Sequence, residues 1–570
     1  MASQQGAHGT DGVTDNNTNA HDAQQPNAAN TGTNPTGTGG DAMSTDASLA
    51  AKTKKNGGWK KHGPWIGLVI VIAIIAAIII GVRVSNAHMD AKDEANASAT
   101  AKTVTIGLKL APTNLDIRNT AGSSLDQILI GNVYEGLVAR NSKNEVVPAI
   151  AKSWDVSDDG LTYTFHLNKD MTFSNGDALT AEDVVWSLDE LIRKQYHDAD
   201  MLKNVETVGA SGDDTVVLTL SKPYSELLWA LTGRAGLVFD KDATYVAKTQ
   251  AVGSGPYTVE SFTPNDSIVL KENTKYWGAK PKTPTIVIKY YADDNAAVNA
   301  LKSGAVQVLA PITAQLAEPF EKDSAKYVVE AGEGTDKYVL GMNNAKGHPT
   351  ADKKVRQAIR YAIDHDELVA ARGGADKTLG GPIPSLDPGY EDLTKLYPHD
   401  ADKAKALLKE VGYTKEHPLK LTLTYANTYG SEIGDQLRSQ LKEVGIDLNV
   451  NVVEFSTWLQ DVYTDKDYDL SLVDHNESHD FTQWSNPDYY YGYDNKDVQQ
   501  LTGEALSATS DEERDEKLAK AARIVSEDAA ADWLFNYRVT TAMDKGVEGF
   551  PLNMNQTYLP LWDVSYTPAK

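Results

Sequence analysis

An uninterrupted apolar run from Trp65 to Val82 divides this 570-residue chain into two parts that cannot share one core. At 1.5 Å of rise, its 18 residues make about 27 Å of helix, enough to cross bilayer hydrocarbon with Arg83 reaching the far interface. The run consists of Ile, Val, Ala, Leu and Gly after Trp65, and it lacks the polar face that a helix bordering a globular core would show. Lys52, Lys54, Lys55, Lys60 and Lys61 precede it, and only Arg83 and Lys92 follow closely. The excess of positive charge on the N-terminal side places residues 1–64 in the cytoplasm and the rest outside. A secretory signal begins within the first few residues and has a shorter apolar core, so residues 65–84 are expected to be an uncleaved signal anchor. The linker at 85–101 does carry a small-residue stretch, Asn96-Ala-Ser-Ala99, where a peptidase could act. Residues 1–50 contain no Lys or Arg and almost nothing to bury, so they are expected to be a disordered tail.

Charge and cysteine content exclude several function classes. The formal net charge is -25, and a partner made of phosphates needs a basic face, so nucleic acid is not expected. Residues 1–84 carry five acids and six bases, a net of +1, which leaves -26 on the remainder. The chain has no cysteine, which rules out disulfides, thiolate catalysis, Cys-ligated zinc and a lipid-anchored lipoprotein.

From residue 102 the pattern is that of an α/β globule large enough for more than one core. Val104–Leu110, Leu161–Leu167, Thr285–Tyr290 and Leu419–Tyr425 alternate apolar and polar positions at strand period. Thr180-Ala-Glu-Asp183 is a capping box ahead of Val184, Leu188, Leu191 and Ile192 on one helical face. After Leu419–Tyr425, Ile433, Leu437, Leu441 and Val444 predict a helix that Gly445 ends, and Ile446–Val452 resumes the strand period. Strand, helix and strand in so short a span predict a parallel βαβ unit.

Several elements follow one another in an informative order: Pro148-Ala-Ile-Ala-Lys-Ser-Trp154, Ser157-Asp-Asp-Gly-Leu-Thr-Tyr-Thr-Phe-His-Leu167, Phe173-Ser-Asn-Gly-Asp177 and Leu179-Thr-Ala-Glu-Asp-Val184. Gly253-Ser-Gly-Pro-Tyr257, Asn273-Thr-Lys-Tyr-Trp277, Ala300-Leu-Lys-Ser-Gly304, Lys354-Val-Arg-Gln-Ala-Ile-Arg-Tyr-Ala-Ile-Asp364 and Asp402-Lys-Ala-Lys-Ala-Leu-Leu-Lys-Glu-Val-Gly412 come next. Over residues 102–565 this series resembles the peptide- and nickel-binding family of bacterial extracellular solute-binding proteins. Gln307 stands where that family usually carries an acid.

The resemblance implies a two-lobed, type II periplasmic-binding-protein-like α/β fold with an extra subdomain inserted in the first lobe. Lobe one is expected at 102–332 plus 540–570, with the inserted subdomain at about 137–250, and lobe two at 333–539. The implied function is not enzymatic: a monomeric ectodomain captures a short peptide between its lobes and delivers it to the permease of an ABC importer, with no cofactor. No Gly-Lys dipeptide occurs, so there is no Walker A loop and the ATPase must be another chain. In peptide-binding relatives an acid for the ligand's amine lies just after a particular strand, which here points to Asp480 or Glu477 in the segment Asp469–Asp480. The family's tryptophan–glycine–aspartate wording is absent from that segment. Trp458, Trp484 and Tyr489 are candidate pocket walls, and Asn114 and Asp116, after the first strand, are candidate lobe-one contacts.

Other readings stay open at this level. His475, Glu477 and His479 would suit a nickel or metallophore complex, since residues four apart on a strand share one side. The aromatics near Trp484 would suit an oligosaccharide. A receptor that reports ligand to a membrane sensor is compatible with the long cytoplasmic tail. For a hydrolase, no Gly-x-Ser-x-Gly or His-Glu-x-x-His motif is present.

Overall fold

The computed structural model describes residues 102–568. The apolar run at 65–82 and the tail before it lie outside the described residues. Among the described residues no helix is long and apolar enough to cross a membrane.

The expected alternations form strands. Thr103–Leu108, Thr162–Leu167 and Thr285–Tyr290 each bury every second side chain along most of their length. Leu419–Ala426, the helix Glu432–Glu443 and Ile446–Val453 make the predicted βαβ unit, its strands parallel with Leu419 beside Ile446. The helix Ala181–Lys194 starts as its sequence signals: the Asp183 carboxylate accepts from the N–H of Thr180 at 2.9 Å and from its hydroxyl at 3.0 Å. Val184, Leu188 and Leu191 then face the core beneath.

Three main sheets result. The largest has seven strands in the order Tyr327–Ala331, Thr540–Asp544, Val308–Ala310, Thr103–Leu108, Thr285–Tyr290, Ser267–Glu272 and Tyr257–Thr263. The second has five: Ile446–Val453, Leu419–Ala426, Leu470–His475, Lys337–Met342 and Ala531–Asn536. The third is a four-stranded antiparallel sheet of Ala151–Val156, Thr162–Leu167, Thr215–Leu220 and Val205–Ala210. The chain passes between the first two sheets over short links, at 332–336 and again at 537–539.

Two of the sequence elements meet in space at Glu135. Its carboxylate accepts from the Ser254 hydroxyl (2.8 Å), the Tyr276 hydroxyl (2.9 Å) and the Trp277 indole N–H (3.0 Å). Asn273 closes the same corner, its side-chain amide donating to the Gly255 carbonyl at 2.9 Å. Gly253 has to be glycine here, because a Cβ would stand 2.0 Å from the Val133 carbonyl oxygen.

Candidate functional site

The five-stranded sheet is covered on both faces, and its pleat sorts the polar residues at one end into two groups. Leu340 and Leu472 pack into one cluster, Val339 and Val473 into the other. Register places Tyr338 opposite Asp474 and Lys337 opposite His475. Asp336, Tyr338 and Asp474 therefore belong to the Leu340 face, while Lys337 and His475 belong to the Val339 face.

On the Leu340 face the site is aromatic and acidic. The Tyr338 ring stacks on Phe535 (centroids 4.6 Å apart) and meets Tyr429 edge-on at 5.8 Å and Tyr537 at 6.2 Å. Arg372 lies over Tyr338 and Phe535 at 5.3 and 4.6 Å, but its Nε is committed to Asp376 Oδ2 at 2.6 Å. The Asp474 N–H donates to the Tyr429 hydroxyl at 3.0 Å, and Oδ1 of Asp474 is buried with no hydrogen-bond partner. Burial pushes the Asp474 carboxyl well above its usual range, and the neighbouring Asp336 adds to the rise against the pull of Lys337 and Arg372. Asp336 is pushed up to about 7, chiefly by burial, with Lys337 opposing. Two acids thus share a desolvated corner, and the nearest cations are engaged elsewhere. An ammonium placed beside them would gain charge-assisted hydrogen bonds and aromatic faces together.

On the other face Lys337 is only 1% exposed. Its Nζ stands 3.1 Å from Asp480 Oδ1 and donates to the carbonyls of Glu477 (2.7 Å) and Thr335 (3.2 Å). Burial works against its charge, but Asp480 and Asp387 outweigh burial and hold its pKa above the ordinary lysine value. His475 Nε2 is within hydrogen-bond distance of the Tyr491 hydroxyl at 2.7 Å and of the Tyr490 hydroxyl at 3.2 Å. Burial, aided by Lys337, drives its pKa down to about 3, so the imidazole is neutral.

The residues singled out from sequence fall into three places. Asp480, Glu477 and His475 gather around Lys337; Asp480 is its ion-pair partner and also accepts from Gln483 at 2.9 Å, while the Glu477 side chain is exposed. Trp458, Trp484 and Tyr489 are buried in the aromatic cluster of the Val339 face. The Trp458 indole donates to Ser471 Oγ at 2.8 Å, Trp484 stacks on Tyr491 at 4.4 Å, and Tyr489 stands edge-on to Tyr463 at 5.9 Å. Asn114 and Asp116 form a turn far from that loop in sequence: Asn114 Oδ1 accepts from the Asp116 N–H at 2.8 Å, and the Asp116 carboxylate accepts from Asn119. His475 and His479 have different partners, the latter meeting Glu226. Among the described residues no three His, Cys, Asp or Glu side chains are grouped to hold a metal ion. Asp336, Tyr338, Arg372 and Asp474 were not singled out from the sequence. The available signal was Asp474 itself, an acid near the end of the largely buried strand Leu470–His475.

Comparison with known proteins gives concordant results. A family model for bacterial extracellular solute-binding proteins, family 5 (middle region), matches residues 145–497. The glutathione-binding protein GsiB of Pectobacterium atrosepticum is 29% identical over 366 residues, covering 62% of this chain and 70% of that protein. The probable D,D-dipeptide-binding periplasmic protein DdpA of Escherichia coli is 27% identical over 429 residues, covering 71% and 82%. The crystal structure of the ABC transporter substrate-binding protein CtaP of Listeria monocytogenes superposes with a TM-score of 0.73 at 23% identity, covering 82% of this chain and 99% of that one.

Proposed function

The chain belongs to the bacterial extracellular solute-binding proteins of family 5, and from that premise we propose that it captures short peptides outside the cytoplasm for the permease of an ABC importer. Glutathione and a D,D-dipeptide, the ligands named for two relatives, are both short peptides with a free amine. The observation that carries the reading is the pair Asp336 and Asp474, two desolvated carboxylates beside aromatic rings with an unpartnered Oδ1. A peptide's terminal ammonium is the compact cation that such a corner selects. Asp480 is already matched by Lys337, so its part is to hold the loop at the rim, with Glu477 beside it. In this reading the ligand sits between a lobe at 102–332 plus 540–570, carrying the 137–250 subdomain, and a lobe at 333–539. Residues 65–84 anchor the protein in the membrane with the N-terminus inside.

Calorimetric titration of the full chain with Ala-Ala-Ala and with its N-acetyl form tests the amine assignment. Acetylation should cost the wild type about 100-fold in affinity, roughly 3 kcal/mol, as expected when one partner of a buried charge pair is removed. Asp474→Asn should bind the two forms equally. Equal binding of both peptides by the wild type would refute the assignment. For the anchor, deletion of residues 65–84 should move the protein from carbonate-resistant membranes to the soluble fraction; retention on membranes would defeat it.

A further inference from the structure

The loop between Leu470–His475 and the turn Asp480–Ser485 holds the partners of Lys337, and its middle is gripped by residues distant in sequence. His479 adopts a left-handed backbone (φ 59°), and its N–H donates to Asp387 Oδ2 at 3.0 Å. Its ring lies flat on Trp229, with centroids 4.1 Å apart and planes 2° from parallel. Its Nδ1 is 2.5 Å from Oε2 of Glu226. Burial alone would raise the Glu226 carboxyl, but His479 and Arg514 together outweigh burial and hold it below the usual range.

Glu226 and Trp229 both come from the 137–250 segment. The basic residues beside Glu226, His479 and Arg514 (4.0 Å), both come from beyond residue 470. The same boundary is crossed at Asn144, whose side-chain amide donates to Ser478 Oγ at 2.8 Å and to Asp387 Oδ1 at 3.1 Å. It is crossed again at Ser225, whose N–H and hydroxyl donate to the carbonyls of Leu506 and Ala505, each at 2.9 Å. The contact combines these polar groups with the Trp229–His479 ring stack. If the two sides parted, the polar groups would regain hydrogen bonds to water, which offsets part of the cost of breaking the contact.

We propose that Glu226 and Trp229 are positioning residues for ligand binding: by capturing His479 they fix the 476–480 loop that leaves the sheet directly after Asp474 and His475, and so set how long a bound peptide stays. The inference rests on the peptide-binding reading above and adds to it a role for the inserted segment.

Dissociation of Ala-Ala-Ala and glutathione from the full chain tests it, with Glu226→Gln, Trp229→Leu, His479→Gln and the double variant Glu226→Gln/His479→Gln. Each single variant should raise the dissociation rate about tenfold with the association rate within twofold, and the double variant should be no worse than the worse single. Unchanged dissociation, a loss confined to association, or additive single effects would each overturn the latch. If the wild type binds neither peptide, the peptide reading fails, and hydrogen exchange then decides the latch without a ligand. The Ser225 and His479 amides should lose protection in Glu226→Gln while Thr162–Leu167 and Lys337–Met342 keep theirs. Unchanged protection at Ser225 and His479 would overturn the proposal on that measurement as well.

Discussion

Glu135 offers a sharp test of the electrostatics of this fold. It is 8% exposed and accepts three hydrogen bonds, yet no cation stands among the groups that shift it. Burial raises its carboxyl from 4.5 to about 7 in spite of those donors. Because the folded carboxyl holds its proton more tightly than the unfolded one, its contribution to stability is complete below about pH 4.5 and is lost as pH rises through about 7. At 1.36 kcal/mol per pH unit, the loss is about 3 kcal/mol. Glu135→Gln removes the titration and keeps the shape. An amide oxygen at the Oε2 position still accepts from Ser254 and Trp277, and the NH2 group can donate to the Tyr276 hydroxyl oxygen. Scanning calorimetry of the two proteins at pH 4.5, 6 and 8 should therefore show the variant gaining on the wild type as pH rises. For a cooperative unit of ~230 to ~460 residues, about 3 kcal/mol is about 3–7 °C in Tm. A Tm difference that stays constant across that range would refute the argument, because it would mean that Glu135 is ionised throughout or that its neighbours titrate in its place.

Two further substitutions probe the architecture. Lys337→Met removes the cation beside Asp480 and the donor to the carbonyls of Glu477 and Thr335, while Gln483 still donates to Asp480; it should cost about 3 kcal/mol in denaturant unfolding, with part regained when Asp480→Asn is added. Gly253→Ala drives a Cβ into the Val133 carbonyl, whereas Gly503→Ala meets nothing within 4 Å in the helix Lys496–Leu506. The first should lower stability by more than about 3 kcal/mol or abolish accumulation, and the second should raise stability by about 0.5–1 kcal/mol; comparable effects from both would contradict the packing described.

Legibility followed the range of the interactions involved. The strand–helix–strand run from Leu419 to Val453 and the cap at Thr180 are decided by residues within a few positions of one another, so periodicity and capping rules reach them. The elements at Gly253–Tyr257 and Asn273–Trp277 were recognisable as wording, but their physical cause, convergence on Glu135, depends on contacts more than a hundred residues apart. The same limit governs the site. The stretch Asp469–Asp480 could be singled out as acidic, but which acid lacks a partner depends on Lys337, 140 residues before Glu477. Trp458 and Trp484 could not be told from pocket walls by sequence, since burial is a property of the whole sheet and its covering helices.

Two facts about the sheet end fit together. A fold selected only for stability would not keep Asp336 and Asp474 side by side in a desolvated corner, since each raises the other's cost of ionisation. The matched pair Lys337–Asp480 lies one pleat away, so the chain neutralises one acid with a permanent cation and leaves the other two without one. On the proposed reading, a cation that arrives with a ligand offsets that cost while it stays. The loop gripped through His479 leaves this sheet directly after Asp474 and His475. If, as proposed, an ammonium binds at Asp474, the strand end it contacts is also the root of the loop that meets Glu226 and Trp229.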